Sequence, residues 1–144
     1  MLVLSSTYDG FIDGASHTTP NLASIACVIY SPTSDLVTSN GIFLGHATNN
    51  IAEYSAVVEL LTVTISLDIQ HLIVWLDSKL VVLQLGNFYS VRSPSLLRLF
   101  MRVRLFEREF DYLEYQHIPR QLNTFTETLA NNVLDKHLEL LNQT

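Results

Sequence analysis

The sequence predicts an α/β fold, a five-stranded mixed sheet flanked by helices in the order β-β-β-α-β-α-α-β-α. Three observations lead to this prediction. The first third of the 144-residue chain is rich in β-branched and aromatic residues, which favour strands. A long segment with helical periodicity follows it. A short, almost wholly apolar stretch, HLIVWL, comes next, and this composition is typical of a strand buried on both faces.

The first three strands are predicted in YDGFIDGAS, ASIACVIYSP and LVTSNGIFLGH, because Pro, Ser and Asn-Gly separate these segments. Their close spacing predicts an antiparallel meander. The first helix is predicted from about Thr48 to Leu67, since Thr48, Asn49 and Asn50 are good capping residues. HLIVWL then forms the fourth strand.

The second half of the chain continues with two helices, a strand and a helix. DSKLVVLQLGNF predicts a short helix, and SPSLLRLFMRVRLFEREF a longer one with Pro94 in its first turn. DYLEYQHI alternates as a strand, and the last helix is predicted from about Asn123 to Leu141. No repeat, linker or low-complexity tract interrupts this order, so residues 1–144 are predicted to form a single domain.

The composition excludes several classes of protein. Apolar residues make up 48% of the chain, which argues against disorder. No apolar run approaches the ~20 residues of a membrane span, and the N-terminus lacks a signal-peptide pattern. The single cysteine, Cys27, lies in the apolar run IACVIY and is expected to be a buried hydrophobe. An intracellular setting, without a membrane partner, is therefore expected.

The charge distribution bears on nucleic acid as a partner. A net charge of −6 argues against it when taken alone. Five of the eight basic residues, however, cluster between residues 92 and 108. They would face a phosphate backbone or form an ordinary solvated helix face with Glu107 and Glu109. The cluster comprises Arg92, Arg98, Arg102, Arg104 and Arg108.

Four acids lie at positions where a carboxylate requires an explanation. Asp13 shares a strand face with Phe11 and Ala15, although Asp-Gly is also a turn pair. Asp77 ends the apolar strand, where open sheets place ligand sites, but an isolated Asp-Ser pair is better explained by a helix N-cap at Asp77 or Ser78. Glu53 falls on the apolar side of its helix, whereas Glu59 falls on the polar side.

Glu127 is the fourth of these acids, and it lies at the edge of the apolar side of the last helix. The helix dipole alone explains an acid in a first turn, for Glu127 and for Glu53. Together the four carboxylates would supply the oxygen ligands that two hard divalent ions require. Such a pair of ions cleaves phosphodiesters. No His/Cys pattern for zinc and no glycine-rich phosphate loop occurs in the sequence.

Four segments, FIDGAS, ATNNIAEY, WLDSKLVVLQ and HIPRQLNTFTETLAN, resemble in order the signature segments of type 1 ribonucleases H. The closest likeness is to the variety found in plant retrotransposon polyproteins and small stand-alone relatives. The resemblance covers residues 8 to 135 and implies a ribonuclease H-like fold. It also implies hydrolysis of the RNA strand of RNA–DNA hybrids with two Mg²⁺ ions, which Mn²⁺ can replace.

Carried over by residue, the resemblance implies metal-binding, catalytic acids at Asp13, Glu53, Asp77 and Glu127. It places the loop histidine of the family, which assists proton handling or product release, at His117. Asp13 would bridge both ions, and Glu127 would help hold the ion that activates water. The residues implied to contact nucleic acid are Ser16, Thr19, Asn49, Asn50, Ser78, Arg92 and Asn123.

Three features depart from the family pattern. The glycine-rich turn after the first acid is replaced by Thr18-Thr19-Pro20-Asn21, which removes the glycines that allow close backbone approach. Glu127 stands where the family has an aspartate. No lysine-rich helix follows Asp77. These departures leave an alternative open, a catalytically degenerate domain that binds nucleic acid or a polyprotein partner, such as a reverse transcriptase, without cutting. The oligomeric state has no signal in the sequence.

Overall fold

The computed structural model describes residues 6–18 and 21–143. Within these residues, five strands form one mixed sheet of order β3-β2-β1-β4-β5. The first three are an antiparallel meander, and β4 and β5 are added parallel to β1. This confirms the predicted fold class and element order. The strands are β1 (Tyr8–Thr18), β2 (Asn21–Tyr30), β3 (Leu36–His46), β4 (His71–Leu76) and β5 (Tyr112–His117).

The helices connect and cover these strands. Thr48 caps the first helix as predicted, because its hydroxyl accepts a hydrogen bond from the Ile51 amide at 3.2 Å. Ser78 caps the second in the same way, and Pro94 occupies the first turn of the third. The helices are α1 (Asn49–Ser66), α2 (Lys79–Leu85), α3 (Pro94–Glu107) and α4 (Thr124–Asn142), and a short 3-10 turn (Arg120–Leu122) precedes α4.

The sheet separates two layers of helix. On one face, α1 packs against β1 and β2, with α3 behind it, and the main core lies there around Tyr54, Leu60 and Val74. On the other face, α4 packs over β1, β2 and β3 and buries a smaller cluster that includes Ala26 and Leu134. None of the helices in the described residues is long and apolar enough to cross a bilayer.

The fourth strand is less buried than its composition predicts. Leu72, Val74 and Leu76 are fully buried, but Ile73 and Trp75 on the opposite face are only half-buried. The prediction of a strand buried on both faces was therefore wrong for one face. The reason is the position of α4, which lies over the first three strands and leaves this part of the sheet partly open.

Cys27 is 1% exposed, and its burial raises the pKa of the thiol to about 12. The thiol therefore stays protonated at neutral pH, as expected of a buried hydrophobe.

Candidate active site

The register of β1 and β4 brings two acids together. These strands are parallel, and Phe11 is the partner of Trp75. Continuing this register by two residues places Asp13 opposite Asp77, the residue that follows β4 directly. Asp13 is 6% exposed and Asp77 is half-buried. The two carboxylates therefore meet at the carboxyl end of β4, where open sheets commonly place their ligand sites.

Glu53 reaches the same place from the second turn of α1. Its Oε1 accepts a hydrogen bond from the backbone amide of Gly14 at 2.9 Å. A Cβ at Gly14 would lie 2.9 Å from the Cβ of Ala52 and 3.2 Å from Oε1 of Glu53. The absence of a side chain at Gly14 thus lets α1 approach β1 closely enough for Glu53 to lie beside Asp13.

The three carboxylates form a compact cluster. Asp13, Glu53 and Asp77 each offer an oxygen, and these oxygens lie within 4.8 Å of one another. Burial, and then the charge of Asp13, raises the pKa of Glu53 to about 9. Burial, and then the charge of Asp77, raises the pKa of Asp13 to about 7. The cluster is thus a place where negative charge is costly unless a cation compensates it.

The donor set of the cluster fits a hard divalent cation. Such ions take carboxylate oxygens as ligands, and all three groups here are carboxylates. The second oxygen of Glu53, Oε2, is buried and has no hydrogen-bond donor among the described residues. A buried acceptor left in this way is rare unless an ion or water completes it. Asp13, Glu53 and Asp77 are therefore the residues that could hold a metal.

The cluster forms the floor of an open cleft of about 390 Å³. Two residues predicted to contact nucleic acid, Ser16 and Asn49, lie at its rim. The Ser16 hydroxyl donates a hydrogen bond to the Asn49 side chain. This bond ties β1 to the first residue of α1. Among the described residues, the lining comprises Asp13, Gly14, Ala15, Ser16, Thr18, Asn49, Glu53, Asp77, Arg120, Glu127 and Asn131.

Glu127 lines this cleft but is held apart from the three other acids. Its Oε2 lies 2.6 Å from Nε of Arg120, with which it forms an ion pair. Its charge nevertheless contributes to the raised pKa of Asp13. The acid in the fourth position is thus close enough to influence the cluster electrostatically, while a guanidinium compensates its charge.

The remaining predicted residues that the structure describes lie outside the cleft lining. His117 is exposed at the end of β5, where it pairs in the sheet with Leu76, the residue before Asp77. Asn50 is half-buried and Arg92 is exposed. Thr19, together with Pro20 of the altered turn, lies outside the described residues.

Asn123 is buried rather than placed on a nucleic-acid surface. It is 2% exposed, and its amide donates to the Ile12 carbonyl at 2.9 Å and to Oδ2 of Asp77 at 3.4 Å. Both donors of the amide are thus directed into the protein, and the expected contact of Asn123 with nucleic acid stays a prediction.

The five arginines between residues 92 and 108 divide into two groups. Arg104 points inward, where it pairs with Glu107 at 2.8 Å and donates to the Leu85 carbonyl at 2.7 Å. Tyr115 donates to the same Glu107 carboxylate at 2.7 Å, so the hydrogen-bonding groups of Arg104, Glu107 and Tyr115 are paired with one another. All three residues line a cavity of about 430 Å³ between α2, α3 and β5. Exposed side chains are left at Arg92, Arg98, Arg102 and Arg108.

Two cleft residues from α4 and the turn before it, Arg120 and Asn131, were not predicted. The sequence contained a signal for each. Arg120 is the only basic residue between Arg108 and Lys136, and Asn131 follows Glu127 by one helical turn. Neither signal identifies a cleft residue without knowledge of how α4 packs on the sheet.

The chain matches known proteins over most of its length. The family described as "Reverse transcriptase-like" matches residues 11–133. Ribonuclease HI of Halobacterium salinarum is 34% identical over 125 residues, which are 87% of this chain and 63% of that protein. A bifunctional protein of Mycobacterium tuberculosis is 32% identical over 124 residues, which are 85% of this chain and 34% of that protein. The chain thus spans only about a third of the mycobacterial relative.

The solved structures that this chain resembles include two ribonucleases H. RNase H1 from Halobacterium salinarum has a TM-score of 0.87 at 32% identity, over 90% of this chain and 98% of that one. LC11-RNase H1, solved in complex with an RNA/DNA hybrid, has a TM-score of 0.84 at 29% identity, over 91% of this chain and 99% of that one.

The sheet order and the three converging carboxylates place the chain in the class of ribonuclease H-like α/β proteins. Within that class it belongs to the type 1 ribonuclease H family.

Proposed function

We propose that this protein is a metal-dependent endonuclease that hydrolyses the RNA strand of RNA–DNA hybrids. The observation that carries the proposal is the cluster of Asp13, Glu53 and Asp77, whose oxygens lie within 4.8 Å of one another in an open cleft. Family membership supports the reaction, and the hybrid bound to LC11-RNase H1 supports the substrate.

The three clustered carboxylates would hold the metal in this proposal, and Glu127 would help hold it from α4 through its charge. Two Mg²⁺ ions, or Mn²⁺ in their place, would supply activation of a water and stabilisation of the leaving oxygen of the phosphodiester. Hydrolysis leaves a 5′-phosphate on one RNA fragment and a 3′-hydroxyl on the other. His117, exposed at the end of β5, is proposed to assist proton handling or product release.

The protein's own contribution is to hold these groups in fixed positions. The Gly14 amide fixes Oε1 of Glu53, so this carboxylate needs no reorganisation when charge develops. Ser16 and Asn49, joined to each other at the rim, offer polar groups where a nucleic-acid strand would enter. The exposed residues Arg92, Arg98, Arg102 and Arg108 supply a positive face for a phosphate backbone, although the chain as a whole is acidic.

The wider setting is part of the same proposal. The whole of residues 1–144 is proposed to act as one nuclease domain in an intracellular setting. The match to a family described as reverse transcriptase-like supports a reverse transcriptase of the same polyprotein as a partner.

The proposal is tested by incubating the purified chain with an end-labelled RNA–DNA hybrid in Mg²⁺, beside double-stranded and single-stranded RNA. We expect cleavage of the hybrid RNA alone. Asp13→Asn should abolish it, because the substitution removes a charged ligand without changing the shape of the side chain. Glu59→Gln is the matched control, since Glu59 lies on α1 but accepts a hydrogen bond from Asn40, away from the cleft. Asp13→Asn cutting as fast as the wild type contradicts the metal assignment.

The same experiment separates a nuclease from a domain that only binds. A wild-type chain that binds the hybrid in a filter assay, but does not cut it at any Mg²⁺ or Mn²⁺ concentration, would be a degenerate binder. Retention of the three clustered carboxylates argues against this outcome, because a cluster of negative charge repels phosphate unless metal is bound.

A further inference from the structure

Asn123 links three elements beside the carboxylate cluster. It is the last residue before α4, its side chain is 2% exposed, and 111 residues separate it from Ile12, to whose carbonyl it donates at 2.9 Å. Its second contact is with Oδ2 of Asp77 at 3.4 Å. The amide therefore joins the start of α4 to β1 and to the acid that follows β4.

The chemistry of these neighbours fixes the orientation of the amide. A backbone carbonyl and a carboxylate are both acceptors, so only the two hydrogens of Nδ2 can face them. The amide oxygen, Oδ1, is consequently turned away and has no hydrogen-bond donor among the described residues. A buried acceptor without a donor costs free energy of folding. The two hydrogen bonds donated by Nδ2 must therefore offset this cost or serve a function.

Asn123 also makes contacts that are unusual for its position at the start of α4. An asparagine at the start of a helix usually accepts a hydrogen bond from a backbone amide of the first turn. Asn123 makes no such side-chain cap on α4. Its side chain is used for Ile12 and Asp77 instead.

We propose that Asn123 is a positioning residue that holds the carboxylate of Asp77 toward Asp13 and so completes the metal site. Asp13 and Glu53 repel Asp77, and Asp77 is only half-buried, so an unsupported side chain would turn toward water. The hydrogen bond from Nδ2 opposes this rotation. Its anchor on Ile12 is rigid, because that carbonyl belongs to the residue that precedes Asp13 in β1. This inference rests on the proposed function only in that it assumes a metal between the carboxylates.

The test uses Asn123→Ser, which separates capping from positioning. Serine is as good a helix cap as asparagine, but its hydroxyl carries a single hydrogen on a shorter side chain and cannot reach both acceptors. We expect α4 to remain folded by circular dichroism and the affinity for Mn²⁺, measured by calorimetry without nucleic acid, to fall about 10- to 100-fold. The KM for the hybrid should stay unchanged, and raising the metal concentration should restore part of kcat.

Thr126→Val is the matched control, because Thr126 is also buried at the start of α4 but is not among the described residues that line the cleft. It should change the melting temperature and leave Mn²⁺ affinity unchanged. If Asn123→Ser does not fold, Asn123→Gly replaces it, since glycine is also tolerated at this position of a helix.

The outcomes distinguish the two proposals. Unchanged Mn²⁺ affinity in a folded Asn123 variant overturns the positioning role, whatever its melting temperature. A raised KM with unchanged Mn²⁺ affinity also overturns it and makes Asn123 a nucleic-acid contact. Metal binding that depends on Asn123 in a wild-type chain that cuts no hybrid supports positioning and refutes the proposed nuclease. A wild type that binds no Mn²⁺ overturns both.

Discussion

Nε of Arg120 lies 2.6 Å from Oε2 of Glu127 at the edge of the carboxylate cleft. The Arg120 side chain is 76% exposed and that of Glu127 only 25%, so the arginine reaches in from solvent to meet the acid. Glutamate is one methylene longer than the aspartate of the family pattern. This relationship separates Glu127 from the three acids that cluster without a cation, and its contribution to catalysis should differ from theirs.

Glu127→Gln should reduce cleavage about 10- to 100-fold, the range for groups that support a metal site, whereas Asp13→Asn should leave no detectable cleavage. The reason is that Glu127 influences the cluster by its charge while Arg120 compensates it. Single-turnover rates in saturating Mg²⁺ measure the difference. Asp135→Asn, an exposed acid two turns further along α4, is the control. A Glu127→Gln chain as inert as Asp13→Asn would place Glu127 among the essential ligands.

The sequence predicted the sheet and its helices because these depend on local pattern, whereas Asp13 and Asp77 were assigned to a metal site through the family resemblance. Glu53 was recognised because a carboxylate on the apolar side of a helix is costly. The contacts of Asn123 were not predicted, because they are with residues 46 and 111 positions away. Arg120 was missed for a similar reason, since its relation to the cleft depends on how α4 packs. Periodicity carries no information about such contacts.

Gly14→Ala should lower cleavage about 10- to 100-fold, since a misplacement near 1 Å is enough for such a loss. The new Cβ would meet the Cβ of Ala52 at 2.9 Å and the Ala52 backbone at 3.2 Å. Backbone in a helix cannot yield cheaply, so α1 would shift and carry Glu53 away from Asp13. Cleavage rates and Mn²⁺ affinity should fall together.

The control for this substitution is Gly86→Ala, whose Cβ would meet the Phe88 ring at 3.1 Å and the Val82 carbonyl oxygen at 3.2 Å, at a position that does not line the cleft. Phe88 is 77% exposed, so its ring can move aside and cleavage should be unaffected. Wild-type cleavage by Gly14→Ala would show that the approach of α1 to β1 has no part in placing Glu53.

Tyr54→Phe should destabilise the fold and leave metal affinity unchanged. The Tyr54 hydroxyl donates to Oε1 of Gln84 at 2.7 Å, and both groups are buried between α1 and α2. Phenylalanine leaves that oxygen without its donor, which costs about 1–3 kcal/mol of unfolding free energy. Urea denaturation measures this loss, with the exposed Tyr89→Phe as control.

A second substitution tests the cause of that loss. Replacing both partners, as in Tyr54→Phe with Gln84→Met, removes the unpaired acceptor and should recover part of the stability. If the double variant loses more unfolding free energy than the two single variants together, the cost does not come from an unsatisfied Gln84 oxygen.

Without metal, the protein should lose stability as the pH rises from about 4 to about 9. In the unfolded chain, the carboxyls of Asp13 and Glu53 lose their protons near their ordinary pKa values of 3.8 and 4.5. In the folded protein, burial and neighbouring carboxylates raise these pKa values to about 7 and about 9. Between the two sets of values the folded state binds more protons than the unfolded state, so the free energy of unfolding falls with rising pH.

Mg²⁺ should reverse this dependence, because a divalent ion favours the deprotonated carboxylates and binds more tightly as they lose protons. Melting temperatures measured in a chelator and in Mg²⁺ from pH 5 to pH 9 should therefore diverge as the pH rises. The double variant Asp13→Asn with Glu53→Gln isolates these two groups, since its uncharged side chains cannot titrate. The wild type without metal should lose stability relative to that variant across the same range. A wild type that gained stability relative to it would mean that the two carboxyls are not forced together in the metal-free fold.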